Sequence, residues 1–366
     1  MIKNDSDLLK DFVITRNLKP ITKKTYNTSM QLYTTFNNQS FVSLIKEAEE
    51  EENQGIRWKY RKIKQRLLKF RNYLTVHYKK NYVKITLSRI ITIYKHYEIE
   101  IHDLPPQSSK NHNESAPITF NDLPDKKIIQ RALRRSDPLM KAIILFMSSS
   151  GCARRETLNL TIEDFINATK EYHDSNDIDE IIQMLKSRND IIPTFKLKRQ
   201  KTNKYYFTFC SPEATKQILK YLQKRKDLTP EDKVFNIHTE TFSRNFTKIN
   251  NKLKLGKVGT YNRFRSHMLR KYHATRLRND GMDITDINAM QGKTKNSVDE
   301  SYFFEDPNKL KEKYVKHLSA ITVLSKRTKR RIKPAEVVKR EIENRKLKEM
   351  LEIKEKEIID LKGIIS

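Results

Sequence analysis

The residues of this sequence whose types and spacing could do chemistry lie in its second half. In chain order they are Arg154, Lys201, His267, Arg270, Lys293 and Tyr302. A guanidinium binds two phosphate oxygens at once and keeps its proton, so arginines suit the charge of a phosphodiester under attack. A tyrosine phenol can attack phosphorus when cations and a base assist it. A lysine can then give a proton to the departing oxygen. The set is therefore the one needed to cleave a phosphodiester with a phenol.

The predicted local structure places several of these residues where that chemistry needs them. His267 and Arg270 are three positions apart on a predicted helix, so they project from one face. Arg154 follows a turn at Gly151 and stands at the start of a helix, where the helix dipole also favours phosphate. Lys201 occupies the turn of a predicted β-hairpin. Each signal is weak alone, and their order and spacing together are what is specific.

The composition indicates a polyanionic partner. The chain has 366 residues, an apolar share of 37% and a formal net charge of +29. Such a basic surface suits nucleic acid or an acidic membrane. No run of about 18 apolar residues occurs, so we expect a soluble intracellular protein that binds nucleic acid. Cys152 and Cys210 are too few for a zinc cluster and fit small buried apolar side chains.

Two domains, a linker and a tail are predicted. Residues 1–102 form several short helices with a basic face, residues 103–117 are a proline-containing linker, residues 118–318 are the second domain, and residues 319–366 are a basic segment followed by a helix. Acidic residues of the first domain concentrate in the block Glu47–Glu52. The apolar positions that mark its four helices are Leu8, Leu9 and Phe12; Met30, Leu32 and Tyr33; Ile63, Leu67, Leu68, Phe70 and Leu74; and Ile85, Leu87, Ile90 and Ile93.

The second domain is predicted to be helical around one hairpin. An apolar helix runs over 141–147, and another begins at Glu156 with Leu158, Leu160 and Ile162 on its buried side. Two strands within 195–209 flank a turn at 200–203, and the pattern is helical again from Pro212 to about Leu318. The expected fold class is mainly α with a small antiparallel sheet.

The tail begins with the basic run Lys326–Lys333 and continues after Pro334 as a predicted helix. A heptad register places apolar residues at most of its a positions, but Arg340 and Lys354 occupy two d positions. Both a dimeric coil and a helix that packs on a neighbouring protomer, or on its own domain, fit this pattern. The register is Val337, Asn344, Leu351, Ile358 and Ile365 at a, with Leu347 and Leu361 at d.

In the order and spacing of these residues, the sequence resembles the tyrosine recombinases of the phage integrase type from about residue 20 to 318. The family's His-x-Leu-Arg-His box matches residues 267–271, with Lys271 in place of the second histidine. Its Leu-Gly-His turn is similar to the segment that ends at Lys293, which stands where histidine or tryptophan is usual. Tyr302 keeps the family's nine-residue step from that position. The family's hairpin lysine matches Lys201.

The first catalytic arginine of the family departs from the usual pattern here. It normally stands three positions before a glutamate, and in this chain Ala153 holds that position before Glu156. The Ala-Arg-x-Glu arrangement is similar to archaeal-type members. The resemblance therefore assigns the role to Arg154, with Arg155 in reserve.

The resemblance implies a helical, SAM-like core-binding domain and a mixed α/β catalytic domain. It implies a site-specific recombinase in which Tyr302 attacks the scissile phosphate to form a 3′-phosphotyrosyl link. Strand exchange then passes through a Holliday junction in a tetramer on double-stranded DNA, without metal, ATP or another cofactor. The implied location is the cytoplasm, in association with the nucleoid, and no membrane partner is expected.

Two other functions fit the same residues. A type IB topoisomerase shares the catalytic set but acts as a monomer that relaxes supercoils. A DNA-binding relative that has lost catalysis would fit the replacements at Lys271 and Lys293. The tail helix and the short distance from His267 to Tyr302 favour the recombinase.

Overall fold

The computed structural model describes residues 4–106, 118–293 and 306–324, and seven positions of the tail: 343, 344, 347, 348, 350, 351 and 354. The chain divides into two compact units, Met1–Ala116 and Pro117–Ser366. Both are helical, and the strands form small antiparallel pairs, so the predicted fold class is confirmed. Among the described residues, none of the helices has the length and apolar character needed to cross a membrane.

The first unit is a bundle around an aromatic core. Tyr33, Phe41, Phe70 and Tyr94 are fully buried, and the ring centroids of Tyr33 and Phe70 are 4.9 Å apart in a T-shaped arrangement that aromatic quadrupoles favour. Its helices are α1 (Asp5–Thr15), α2 (Pro20–Asn37), α3 (Phe41–Asn53), α4 (Lys62–His77) and α5 (Lys80–His96). The four helices predicted from apolar spacing correspond to α1, α2, α4 and α5.

Two features of the first unit differ from the sequence prediction. Helix α3 was not predicted as a separate element, and it carries the acidic block. Glu47 of that block pairs with Arg66 at 2.8 Å, and Glu52 pairs with Arg61 at 2.6 Å, so part of the acidic charge neutralises the start of α4. Ile85 is 48% exposed, because α5 buries Val83, Thr86, Ile90, Ile93 and Tyr94 instead.

The second unit is built around one helix that is buried on every side. This helix, α7, is encircled by apolar neighbours, and Phe146 on it packs against Phe195 and Phe235 with centroids 5.5 Å apart in each case. The helices are α6 (Lys126–Arg134), α7 (Pro138–Ser150), α8 (Arg154–Asn159), α9 (Ile162–Thr169), α10 (Ile178–Lys186), α11 (Pro212–Leu222), α12 (Thr239–Lys252), α13 (Ser266–Asn279), α14 (Ile284–Met290), α15 (Pro307–Lys316) and α16 (Leu318–Ile321).

The predicted hairpin forms with the expected turn. Strands β1 (Thr194–Arg199) and β2 (Lys204–Phe209) pair in antiparallel register from Thr194 opposite Phe209 to Arg199 opposite Lys204. The turn therefore spans 200–203 and carries Lys201. A second, two-residue pair, β3 (Lys257–Val258) and β4 (Tyr261–Asn262), interrupts the stretch that the sequence predicted as helical.

The single helix predicted from Glu156 is wrong, because the chain forms two helices there. Helix α8 ends at Asn159, and Leu160 adopts a non-helical backbone with ψ of 122°. Thr161 then caps α9: its hydroxyl accepts from the Asp164 N–H, while the Asp164 carboxylate accepts from the Thr161 N–H. Reciprocal capping of this kind satisfies two of the free N–H groups at a helix start, so it favours a new helix over continuation of the old one.

The described tail positions are helical and exposed. Leu347 and Leu351 are 57% and 59% exposed. The basic run Lys326–Lys333 lies outside the described residues. The positions of the predicted heptad register that also lie outside the described residues are Val337, Arg340, Ile358, Leu361 and Ile365.

A buried amide fixes the segment that leads into α13. The Asn250 side chain, 2% exposed on α12, accepts from the Phe264 N–H at 2.9 Å and donates to the Gly256 carbonyl at 3.1 Å. Because α13 begins two residues after Phe264, these two bonds fix the start of the helix that carries His267 and Arg270.

Replacing Asn250 tests this anchor. Asn250→Ala is expected to lower the free energy of unfolding by roughly 1–3 kcal/mol for each backbone group left without a partner. Asn251→Ala is the matched control, because Asn251 is the next residue of α12 and is exposed, and it should change the stability by less than about 0.5 kcal/mol. Urea unfolding of both variants measures the difference. Equal losses would show that the buried amide does not hold this segment.

Candidate active site

An open cleft of about 470 Å³ in the second unit brings together four of the six predicted site residues. Arg154 comes from α8, Lys201 from the hairpin turn, and His267 and Arg270 from α13. This cleft is lined by five cationic side chains and by one carboxylate, that of Glu156. Its described lining residues are Met147, Ala153, Arg154, Arg155, Glu156, Arg199, Gln200, Lys201, Ser266, His267 and Arg270.

The remaining two predicted residues are not among those lining residues. Lys293 follows α14, and its Nζ donates to Asn288 Oδ1 at 2.9 Å. Its pKa is lowered by burial first and then by the positive charges of Arg270 and Arg199, which places Lys293 within electrostatic range of the cleft. Tyr302 lies outside the described residues.

Two other tyrosines on either side of Tyr302 in the sequence, Tyr314 and Tyr272, are not positioned to act as the nucleophile. Tyr314 is fully buried and donates to the Ser149 carbonyl at 3.0 Å. Tyr272 is 1% exposed, and its hydroxyl has no hydrogen-bond partner. Burial raises the pKa of both phenols. Neither hydroxyl is open to a phosphate, and both side chains serve the core.

Arg270 is held by backbone rather than by a carboxylate. Its Nη1 donates to the Gly151 carbonyl at 2.5 Å and its Nη2 to the Gln291 carbonyl at 2.6 Å. The residue is 7% exposed. Burial lowers its pKa, with a further contribution from Arg199, yet a guanidinium stays protonated in proteins. The side chain therefore presents a fixed positive charge to the cleft.

The two carbonyls that hold Arg270 belong to turns that tolerate only glycine. Gly151 ends α7 with φ of +68°, and a Cβ there would lie 2.5 Å from His273 Nδ1. Gly292 has φ of +58°, and a Cβ there would lie 2.7 Å from the Tyr206 ring. L-residues avoid this backbone region, and both sites lack room. The Gly151 turn predicted from sequence thus positions Arg270 as well as Arg154.

A second buried group supports the same turns. The Gln291 side chain donates to the Arg270 carbonyl at 3.1 Å and lies 3.2 Å from His273 Nδ1. His273 is completely buried, and its Nε2 has no partner. Burial, with the charges of Arg270 and Lys293, lowers its pKa to about 3. Sequence reasoning did not single out His273, and it included Gln291 only as part of the turn that ends at Lys293.

His267 is held in its neutral form, which can accept a hydrogen bond or a proton but is a weaker base than an exposed histidine. Burial lowers its pKa, and the charges of Lys271, Arg265 and Arg270 lower it further. An imidazole with a lowered pKa is neutral near pH 7 and has a free nitrogen lone pair. The predicted pairing of His267 with Arg270 on one helix face is consistent with the shared cleft.

Arg154 and Arg155 both reach the cleft. They are the first two residues of α8, and both are exposed. Arg154 Nη1 lies 3.4 Å from the Ser243 hydroxyl of α12, a long contact for a hydrogen bond. Ala153, at the position where the family pattern has arginine, also lines the cleft.

The lining includes one arginine, Arg199, that the sequence analysis did not assign to the site. Arg199 is the last residue of β1, and its Nη1 donates to the Gln291 carbonyl at 2.6 Å and to the Gly292 carbonyl at 2.8 Å. The signal that could have found it is strand alternation. Lys196 and Lys198 are exposed, whereas Leu197 is buried, so Arg199 shares the inward face of β1 with Leu197.

The buried histidine predicts a pH dependence of stability. With a folded pKa of about 3 and an unfolded pKa of about 6.5, the unfolded chain binds one more proton between these values. Stability therefore falls as pH is lowered from about 6.5. His273→Leu should reduce the slope of unfolding free energy between pH 6 and 5 by about 1.4 kcal/mol per unit. Urea unfolding at several pH values measures it, with the exposed His238→Leu as the matched control. An unchanged slope in His273→Leu would contradict this account.

Comparison with known proteins identifies the family. The phage integrase family model matches residues 125–307, half of the chain. The search of curated proteins found no match to this sequence. The structure of XerH site-specific recombinase bound to difH substrate, a pre-cleavage complex, has a TM-score of 0.50 at 14% identity and covers 85% of this chain and 84% of that one. A lambda integrase (75–356) dimer bound to a COC′ core site has a TM-score of 0.47 at 12% identity and covers 82% of this chain and 97% of that one.

The XerH likeness shows a shared fold, and the family match spans the region that contains the whole cleft. The chain therefore belongs to the phage integrase family of tyrosine recombinases.

Proposed function

We propose that this protein is a site-specific DNA recombinase that cleaves one strand per protomer through a covalent link to Tyr302. The observation that carries the proposal is the cleft itself. Arg154, Lys201, His267 and Arg270 come from three separate parts of the sequence and line one strongly cationic cleft. The family match and the DNA-bound state of the XerH complex support the same reaction.

The proposed step exchanges one phosphoester bond for another. The Tyr302 oxygen bonds to phosphorus while the bond from phosphorus to the 5′-oxygen breaks. His267 takes the phenolic proton, and Lys201 gives a proton to the 5′-oxygen. Arg270, Arg154 and Lys293 bind the nonbridging oxygens, whose negative charge grows in the transition state. Because bond energy is kept in the phosphotyrosine, the 5′-hydroxyl of a second strand can reverse the step without ATP or metal.

Double-stranded DNA is the proposed partner, and the protein acts there as an oligomer. The net charge of +29 supplies a phosphate attraction that does not depend on base sequence. We expect residues 1–102 to serve as the core-binding domain and residues 118–318 as the catalytic domain. The exposed Leu347 and Leu351 in the tail support contact with another protomer, with a tetramer as the active assembly on two duplexes.

The remaining expectations concern affiliation and setting. The Ala-Arg-x-Glu arrangement at 153–156 supports an archaeal-type member of the family. We propose that the protein is associated with the nucleoid, where integration of a mobile element and resolution of a host chromosome both fit the proposed reaction.

Formation of a covalent adduct tests the reaction. A pool of duplexes with random central sequence and random single-strand nicks offers a trap, because cleavage beside a nick releases a short fragment that cannot rejoin. The unaltered protein should become linked to a subset of the pool in a bond that survives SDS. Tyr302→Phe should bind the pool normally and form no adduct, since only the phenolic oxygen is lost. Tyr261→Phe, the same change at an exposed tyrosine, should retain the adduct.

The outcomes of this experiment separate the competing functions. Adduct formation by Tyr302→Phe would show that Tyr302 is not the nucleophile. Binding without any adduct in the unaltered protein would indicate a DNA-binding relative that has lost catalysis. Adducts followed by supercoil relaxation, with no exchange between two copies of the recovered site, would indicate a topoisomerase.

The two adjacent arginines of α8 provide a second test. Arg270→Ala and Arg154→Ala should each slow adduct formation by about 100- to 1,000-fold, as for loss of one donor to a charged transition state. The Arg154 and Arg155 side chains both line the cleft, but neighbouring helical positions point about 100° apart, so we expect Arg155→Ala to slow adduct formation much less. A larger loss in Arg155→Ala than in Arg154→Ala would assign the first catalytic arginine to Arg155.

A further inference from the structure

Arg199 does not have the exposed position that basic residues of a β-strand usually have. Basic side chains of an antiparallel strand normally face solvent, as Lys196 and Lys198 of β1 do. Arg199 instead takes the inward face, is half-buried, and lines the cleft two residues before Lys201. An arginine is turned inward at a cost in desolvation, which requires a compensating partner.

Its contacts hold two positive charges close together. Arg199 Nη1 and Arg270 Nη2 donate to the same oxygen, the Gln291 carbonyl, each at 2.6 Å. The repulsion is visible in the pKa of Arg270, which burial lowers first and Arg199 lowers next. Carbonyl oxygens satisfy the N–H groups but carry no net charge, and Glu156 is the single carboxylate among the described residues that line the cleft. Crowded cations of this kind are a site for an external anion.

The hydrogen bonds within the protein use only part of the Arg199 guanidinium. Its Nη1 is taken by backbone carbonyls, while its Nε is buried without any hydrogen-bond partner. Nε and Nη2 form the side-on edge of a guanidinium, the edge with which Arg188 in this chain holds both carboxylate oxygens of Asp190 at 3.2 and 3.1 Å. Arg66 and Arg71 also have a buried Nε without a hydrogen-bond partner, so this feature alone does not mark a binding site. What sets Arg199 apart from them is its place in the lining of the cleft.

We propose that Arg199 is an additional catalytic arginine whose guanidinium binds a nonbridging oxygen of the scissile phosphate. It adds a guanidinium to a cleft in which Ala153 occupies the usual position of an arginine. The proposal rests on the proposed recombinase reaction. The other role open to Arg199 is positioning alone, in which its bonds to the Gln291 and Gly292 carbonyls hold the turn before Lys293 and nothing more.

Substrate charge separates contact from positioning. The duplex recovered as a covalent adduct is resynthesised with a methylphosphonate at the mapped scissile position, which replaces one nonbridging oxygen by a methyl group and removes the negative charge. Arg199→Ala should slow adduct formation on the natural phosphate by about 100- to 1,000-fold. On the methylphosphonate most of that deficit relative to the unaltered protein should disappear, because there is no longer a charge to neutralise.

Further variants distinguish the loss of a phosphate contact from a loss of folded structure. Arg199→Gln keeps an amide that can donate to the carbonyls but lacks charge, so it should behave like Arg199→Ala. Arg199→Lys keeps the charge without the fork, and its deficit should also shrink on the methylphosphonate, which preserves the test if the alanine variant unfolds. Lys196→Ala removes one cation from the exposed face of the same strand and should leave adduct formation unchanged. Thermal unfolding of each variant confirms the fold.

The opposite results overturn the proposal. A deficit of equal size on both substrates, or recovery in Arg199→Gln, would assign Arg199 to positioning alone. Failure of the unaltered protein to form any adduct on natural phosphate is a different result. It would remove the proposed recombinase reaction and, with it, the role of Arg199 in that reaction.

Discussion

The second unit depends on how one buried guanidinium is satisfied. Arg270 sits almost out of contact with water, and an unpaired charge there would be strongly destabilising. Its two partners are backbone carbonyls that lie 119 and 21 residues away in sequence. Each carbonyl can point at Arg270 only because its turn has a positive φ or adjoins a residue that has one. Arg270 therefore ties α13 to the end of α7 and to the turn after α14.

The choice of carbonyls over a carboxylate has a consequence for the cleft. A carboxylate would cancel the charge of Arg270, whereas carbonyl dipoles stabilise the guanidinium and leave its net charge intact. The same holds for Arg199, which shares one of these oxygens. Glu156 is the single acidic residue among the described lining residues, and one of its carboxylate oxygens has no hydrogen-bond partner. The cleft thus retains a net positive charge, which suits it to a phosphate.

The elements that depend on helix or strand periodicity could be predicted from the sequence. Apolar spacing predicted four helices of the first unit, and strand alternation with a polar turn predicted the hairpin that carries Lys201. The three-residue step from His267 to Arg270 predicted a shared face. These signals are local, because helix and strand periodicity are properties of a short segment. Ile85 shows the limit of apolar spacing, since neighbouring registers of α5 offered two apolar faces and tertiary packing selected the one with Val83 and Ile90.

What could not be predicted involves polar groups that meet across long sequence separations. The break between α8 and α9 is a different case, because the reciprocal cap by Thr161 and Asp164 is local but lies within a stretch whose apolar residues fit one continuous helix. The bonds of Arg199 to the Gln291 and Gly292 carbonyls, and the buried pair formed by His273 and Gln291, depend on the turn after α14. A residue such as His273 is neutral in the folded chain only because its surroundings are dry, and the sequence does not show that environment. Buried polar networks are costly unless each group finds its partner. In this unit they hold the same turns that hold Arg270, so the least predictable contacts are those that set the geometry of the cleft.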